Sequence, residues 1–124
     1  TSPLRTFKDI DNAVNLFLDN KCDSVVSVCK SKESPYWSLK IKNEFVEPLF
    51  DWKYLTNPKR QDLPKSYILN GAIFLTTSNN FLKCNSLINN RTLPYIMPIW
   101  KSVDIDDKVD IKLVEFLLKE KNEK

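Results

Sequence analysis

A chain of 124 residues with a single glycine has little access to backbone conformations that side-chain-bearing residues avoid. Wherever that glycine stands, the fold has a reason for it. It stands at position 71, after Asn70 and ahead of the apolar run Ala72-Ile73-Phe74-Leu75. Two demands fit: a positive φ, or a close approach by another group. Upstream lie Arg60, one of three arginines in the chain, and the proline-punctuated loop Gln61-Asp62-Leu63-Pro64. A cation, a loop and an amide at the mouth of a buried strand are how an open α/β sheet presents ligand-binding groups.

The absence of histidine removes the usual general base, the usual zinc ligand and the Ser-His-Asp triad at once. Any chemistry here must run on carboxylates, lysines, arginines and a metal. A net charge of +3, with lysines scattered among acids, carries no nucleic-acid footprint, which would need a clustered basic face. No apolar run approaches the roughly 20 residues that span a bilayer, and no signal peptide precedes the first helix, so neither a nucleic acid nor a membrane is expected as a partner. Cys22, Cys29 and Cys84 are odd in number and fit no zinc spacing. They read as buried or half-buried thiols in a reducing compartment, and a cytoplasmic protein is expected. The length allows one domain with one core.

Thr6-Phe7-Lys8-Asp9 is a capping box, followed by a helical stripe of Ile10, Ala13, Val14, Phe17 and Leu18 that ends near Asn20. The β-branched run Ser24–Cys29 then predicts a strand buried on both faces, in a mostly parallel sheet. A helix running directly into such a strand implies a βαβ unit whose first strand precedes Thr1. Residues 31–59 differ: three prolines break them and aromatics crowd them, with Trp37–Lys42 alternating as a hairpin arm does. Such a segment either folds back over its own core or forms a subunit interface, where aromatics are enriched. Gly71–Thr76 predicts a strand, Ser78 starts a short helix, and Leu93–Pro98 is an edge strand because of its prolines. A last helix after Asp106 is expected to bury Val109, Leu113, Phe116 and Leu117.

Asp104 and Asp106 are two apart, so on an extended segment both carboxylates face one side. Such a pair repels itself unless a cation sits between, and hard oxygen ligands suit Mg²⁺. Alternatively one of them caps the following helix. The Arg60 guanidinium is suited to fork onto a carboxylate or phosphate, with Gln61 and Asn70 offering neutral hydrogen bonds. Arg60 also reads as a solvated loop arginine. Arg5 either serves an anion at the start of the first helix or pairs with acids such as Asp9.

Three segments in order carry a family resemblance. Arg60-Gln61 and Leu63-Pro64, followed by Tyr67 and Asn70-Gly71-Ala72-Ile73-Phe74, resemble the signature of the acylneuraminate cytidylyltransferases. Thr1-Ser2-Pro3-Leu4-Arg5 is similar to the family's Gln-Pro-Thr-Ser-Pro-Leu-Arg, and Ser102-Val103-Asp104-Ile105-Asp106 to its Ser-Ile-Asp-Ile-Asp. The resemblance runs to about Leu118 and covers the C-terminal half of the family's single domain. The family's Gly-rich nucleotide-binding loop has no counterpart here.

That resemblance implies a three-layer α/β/α sandwich of the nucleotide-diphospho-sugar transferase type, here a partial domain over residues 1–124 with a dimerisation arm at 31–59. It implies a Mg²⁺-dependent transfer of CMP from CTP to a nine-carbon sugar acid such as N-acetylneuraminic acid, with pyrophosphate released, on the way to bacterial surface polysaccharide. Asp104 and Asp106 would hold the metal, Arg60 the sugar carboxylate, and Gln61, Asn70 and Gly71 the sugar. Thr1, Ser2 and Arg5 would line the nucleotide. Ile68 departs from relatives that carry arginine there, which leaves legionaminic, pseudaminic or 3-deoxy-octulosonic acid, with CTP or GTP, as alternatives. A non-catalytic dimerising module of the same fold is another. In isolation these residues are expected to be inactive and prone to aggregate, because sheet edges would stand exposed.

Overall fold

The computed structural model describes residues 2–56 and 59–122. They fall into two compact units: residues 1–29 with 69–124, and residues 30–68.

In the first unit, Thr6 and Asp9 close the expected capping box and α1 runs Phe7–Leu18. Its buried stripe is narrower than its periodicity predicts. Ala13 is fully buried and Val14 and Phe17 half-buried, while Ile10 and Leu18 are exposed. The strand β1, Ser24–Lys30, is buried from Ser24 through Cys29, as its apolar run predicts. It is buried because it is central: β4, Tyr67–Thr76, flanks one side and β5, Thr92–Ile96, the other. The β1–β5 pair is parallel, with Ser24 opposite Thr92 and Val26 opposite Pro94. Proline is tolerated in β5 because that strand lies at the edge of the described sheet.

The expectation of a mostly parallel sheet holds for that pair and fails for β4. Asp23 meets Thr76 and Ser27 meets Ile73, so positions rising along β1 meet positions falling along β4. The two strands run in opposite directions, and the sheet is mixed. α1 packs against β5, and Ala13, Val25, Ala72, Ile73 and Met97 form the core.

A short helix α2, Ser78–Cys84, starts where expected, with the Thr77 hydroxyl accepting the Asn80 N–H at 3.2 Å. The last helix, α3, covers Lys108–Asn122. Among its described side chains Val114 is the buried one, at 5% exposure, and Leu117 is half-buried, whereas Val109 is 71% exposed and Leu113 and Phe116 are exposed too. Apolar residues surround this helix, so periodicity alone does not choose the face that packs. Cys84 is exposed, against the expectation for the thiols, while Cys29 is buried and Cys22 half-buried.

The second unit is built on a hairpin, β2 (Leu39–Lys42) against β3 (Phe45–Pro48), antiparallel and with Lys40 paired to Glu47 at 3.2 Å. The turn residues Asn43 and Glu44 have φ of 50° and 68°. Tyr36 stacks with Phe50 and Tyr54, at centroid distances of 4.9 and 4.6 Å, and the Trp37 indole donates to the Tyr54 carbonyl at 3.1 Å. Ile41, Phe45, Phe50 and Trp52 stay exposed.

Candidate functional site

Gly71 lies in the middle of β4 rather than at its start, with φ of +69°. Of the two demands that fit a lone glycine, the conformational one decides. A Cβ built there would meet Asp104 Oδ2 at 3.7 Å, an ordinary van der Waals distance, so space alone would admit alanine. The left-handed backbone is what alanine resists. That same contact brings the β4 backbone beside the first of the two predicted metal aspartates.

Asn70 is only 7% exposed, and its side chain is engaged at both ends. Its Oδ1 accepts the Ser27 hydroxyl at 2.6 Å and the Ala72 N–H at 3.2 Å. Its Nδ2 donates to Ser102 Oγ at 2.8 Å and points at Met97 Sδ, 3.4 Å away. Ser27 Oγ in turn accepts the Ile73 N–H at 2.6 Å. The amide therefore ties β1, β4 and the segment ahead of Asp104 into one buried polar cluster. Buried polar groups need such partners. The sequence placed Asn70 at a strand mouth because nothing local marks it as buried; Ser27 and Ser102, which bury it, are distant in the chain.

The start of α3 is capped by its own residues. Asp107 is the residue before α3, and its Oδ1 accepts the N–H groups of Val109 at 2.6 Å and Asp110 at 3.1 Å. Asp110 Oδ2 reaches back to the N–H groups of Asp106 and Asp107, both at 3.0 Å. This is a reciprocal capping box built from Asp107 and Asp110. The helix start takes neither the Asp104 nor the Asp106 carboxylate. Asp104 Oδ1 accepts the Ile105 N–H at 3.1 Å, and Asp104 and Asp106 are exposed on non-helical backbone.

Among the described residues no group of three or more His, Cys, Asp or Glu side chains converges as a metal cage. Asp104 and Asp106 are hard oxygen ligands that could hold a divalent cation keeping several of its waters, without an all-protein cage.

The Arg5 guanidinium donates to the Ala72 carbonyl, next to Gly71, instead of pairing with Asp9. Asp9 is held by other groups. Its Oδ2 accepts the Thr6 N–H at 2.8 Å and the Thr6 hydroxyl at 2.6 Å, and Lys101 Nζ donates to both its oxygens. Burial pushes this carboxyl up, but the hydrogen bonds from Thr6 and Lys101 and the lysine charge outweigh it and hold the pKa at about 2. The sequence reading saw Asp9 as a cap and missed Lys101, whose partner lies far along the chain. Ser2 is half-buried, with its carbonyl accepting the Arg5 N–H at 3.3 Å. Thr1 lies outside the described residues. Arg60 and Gln61 belong to the second unit, exposed in a single helical turn, Arg60–Asp62. The first unit thus brings Arg5, Asn70, Gly71 and Asp104 around one stretch of β4 backbone.

The chain is 31% identical over 98% of its length to the "Post-translational flagellin modification protein B" of Campylobacter coli. It is 30% identical over 79% of its length to a CMP-N,N'-diacetyllegionaminic acid synthase of Campylobacter jejuni. To an N-acylneuraminate cytidylyltransferase of Escherichia coli it is 30% identical over 98% of its length. The chain is a relative of the acylneuraminate cytidylyltransferases. It spans 51%, 41% and 29% of the lengths of those three proteins, about half of the first and less of the others. No family model matches the chain. Among the described residues no helix is long and apolar enough to cross a membrane.

Proposed function

We propose that this chain is the sugar-acid and metal half of a nucleotidyltransferase that joins CTP to a nine-carbon sugar acid in the cytoplasm, giving a CMP-sugar and pyrophosphate. The observation that carries the reading is the division of labour before α3. Asp107 and Asp110 cap the helix, and Asp104 and Asp106 precede it on exposed backbone, the first beside Gly71. Asp104 and Asp106 would hold Mg²⁺, which would neutralise phosphate charge and make a bound hydroxyl easier to deprotonate. Arg60 forks onto the sugar carboxylate, and Gln61 donates to its neighbouring polar groups. Asn70 and Gly71 set the β4 backbone against which the sugar lies, and Arg5 with Thr1 and Ser2 serves the nucleotide. The chain's task is alignment of the attacking hydroxyl with the leaving pyrophosphate.

The family relationship supports a three-layer sandwich for the whole domain. The exposed Ile41, Phe45, Phe50 and Trp52 support a homodimer contact through residues 31–59, since aromatic residues left in water mark interfaces. A legionaminic-type acid is a second reading. Ile68 stands where some relatives carry arginine, and one of the similar proteins is named for N,N'-diacetyllegionaminic acid.

The test is pyrophosphate release by the full-length protein with CTP and Mg²⁺, with N-acetylneuraminic and legionaminic acids offered in parallel. Release that requires nucleotide, metal and one of the acids is expected, with a loss of at least about a hundredfold in Asp104→Ala. Silence with every sugar acid and with both CTP and GTP would leave a non-catalytic module as the better account.

A further inference from the structure

The residues that lead into the acidic pair are held from two directions, and neither hold has a part in the reading above. Lys101 ends the turn Ile99–Lys101, and its ammonium sits 3.0 and 2.9 Å from the two oxygens of Asp9. Asp9 is 4% exposed and also receives the Tyr95 hydroxyl at 3.2 Å. The next residue, Ser102, accepts Asn70 Nδ2 at 2.8 Å and donates to the Pro98 carbonyl at 2.9 Å. Two consecutive residues are therefore tied to different elements, Lys101 to the start of α1 and Ser102 to β4. Asp104 follows two positions on.

Exposed ion pairs fix geometry poorly, because two long side chains must be ordered against water. This pair differs: the side chains of Lys101 and Asp9 are 18% and 6% exposed, and the contact is two-pronged. Beyond Ser102, the Ile105 N–H lies on the Asp104 carboxylate and the Asp106 N–H on that of Asp110.

We propose that Lys101 and Ser102 are positioning residues: anchored on Asp9 and Asn70, they fix the backbone that carries Asp104 and Asp106 and so preorganise both carboxylates for a divalent cation. This rests on the metal reading given above. Metal ligands owe their orientation to the groups behind them, and losing such support typically costs about tenfold or more in affinity. Here the support grips the backbone upstream of the ligands instead of the carboxylates themselves. Lys101 is the more telling of the two, because it bears on α1, an element that contributes no proposed ligand.

The test uses the full-length protein with Lys101→Met, Lys101→Arg and Ser102→Ala, and with Asp104→Ala as reference. One readout is metal-free amide exchange at Ile105 and Asp106, compared with Val25 and Val26 in the core strand. The other is Mn²⁺ titration by electron paramagnetic resonance, without substrate. Lys101→Met and Ser102→Ala should each speed exchange at Ile105 and Asp106 by roughly tenfold more than at Val25 and Val26, and weaken Mn²⁺ by roughly tenfold. Lys101→Arg should remain within about threefold, since a guanidinium also forks onto Asp9. Loosening no greater than in the core strand overturns the proposal, as does faster local exchange with unchanged Mn²⁺ affinity. Mn²⁺ binding that survives Asp104→Ala sinks the metal reading itself, whatever the anchor variants do.

Discussion

Gly71 and the pair Asn43-Glu44 both carry the chain through left-handed backbone, at φ of 69° against 50° and 68°. Their surroundings are opposite. At Gly71 a buried amide, two serine hydroxyls and an arginine converge on the flanking residues, so the conformation is imposed from several elements at once. At Asn43-Glu44 the turn joins two four-residue strands, exposed but for the half-buried Glu47 and Pro48, and its conformation is set by the hairpin. A two-residue hairpin loop of this hand strongly prefers glycine at its second position, and Glu44 occupies it at a cost. The chain places its one glycine where neighbouring groups demand an exact backbone path, and tolerates strain where a surface is merely presented.

The comparison breaks most visibly at the anchors of the first unit. Asp9→Ala should destabilise the protein by about 3 kcal/mol in urea unfolding, because it removes a helix cap and strands the Lys101 ammonium. A loss below about 1 kcal/mol would mean that water screens this pair. The same residue gives a pH signature. Its carboxyl is lowered from 3.8 to about 2, so its stabilisation is fully present above about pH 4 and is lost as pH falls through 2. That contribution is about 2 kcal/mol. Stability measured across this window should fall in the wild type and stay flatter in Asp9→Asn.

A smaller effect is expected at the glycine itself. Gly71→Ala should cost about 1 to 2 kcal/mol, and Gly71→Asn less, since asparagine visits the left-handed region more readily. Equal costs for the two would point to crowding against Asp104 instead of backbone strain. The smallest change is a gain: Glu44→Gly should raise hairpin stability by up to about 1 kcal/mol, read as slower amide exchange in β2 and β3. No gain there would show that the hairpin relieves Glu44 by other means.

What the sequence disclosed was local. The Thr6–Asp9 box, the buried run of β1, the start of α2 and the special backbone at Gly71 each depend on residues within a few positions of one another. What it withheld depends on partners far along the chain. Asn70 reads as a free amide until Ser27 and Ser102 are seen beside it. The direction of β4 is set by pairing with β1, and Lys101 gains its meaning only from Asp9. The packing face of α3 was ambiguous because apolar residues surround that helix, and the spacing pointed to Val109 where Val114 is buried. At Asp104 and Asp106 the residues alone favour a cap, and only the family resemblance turns the reading to a metal. Asp107 and Asp110 decided the capping question by taking the helix start for themselves.

The parallel pairing of β1 with β5 has a consequence for the order in which the protein is made. Ser24 meets Thr92 across a span that contains the entire second unit. At equilibrium the intervening length matters little, because closure entropy grows only with the logarithm of the loop. In time it matters more. On a ribosome the most buried strand of the described fold emerges early and waits for its parallel neighbour until everything through Ile96 has been synthesised, whereas the β2–β3 hairpin needs only its own few residues. Changes in the length of the inserted unit should therefore leave the finished fold nearly as stable while lengthening the interval in which β1 lacks that partner.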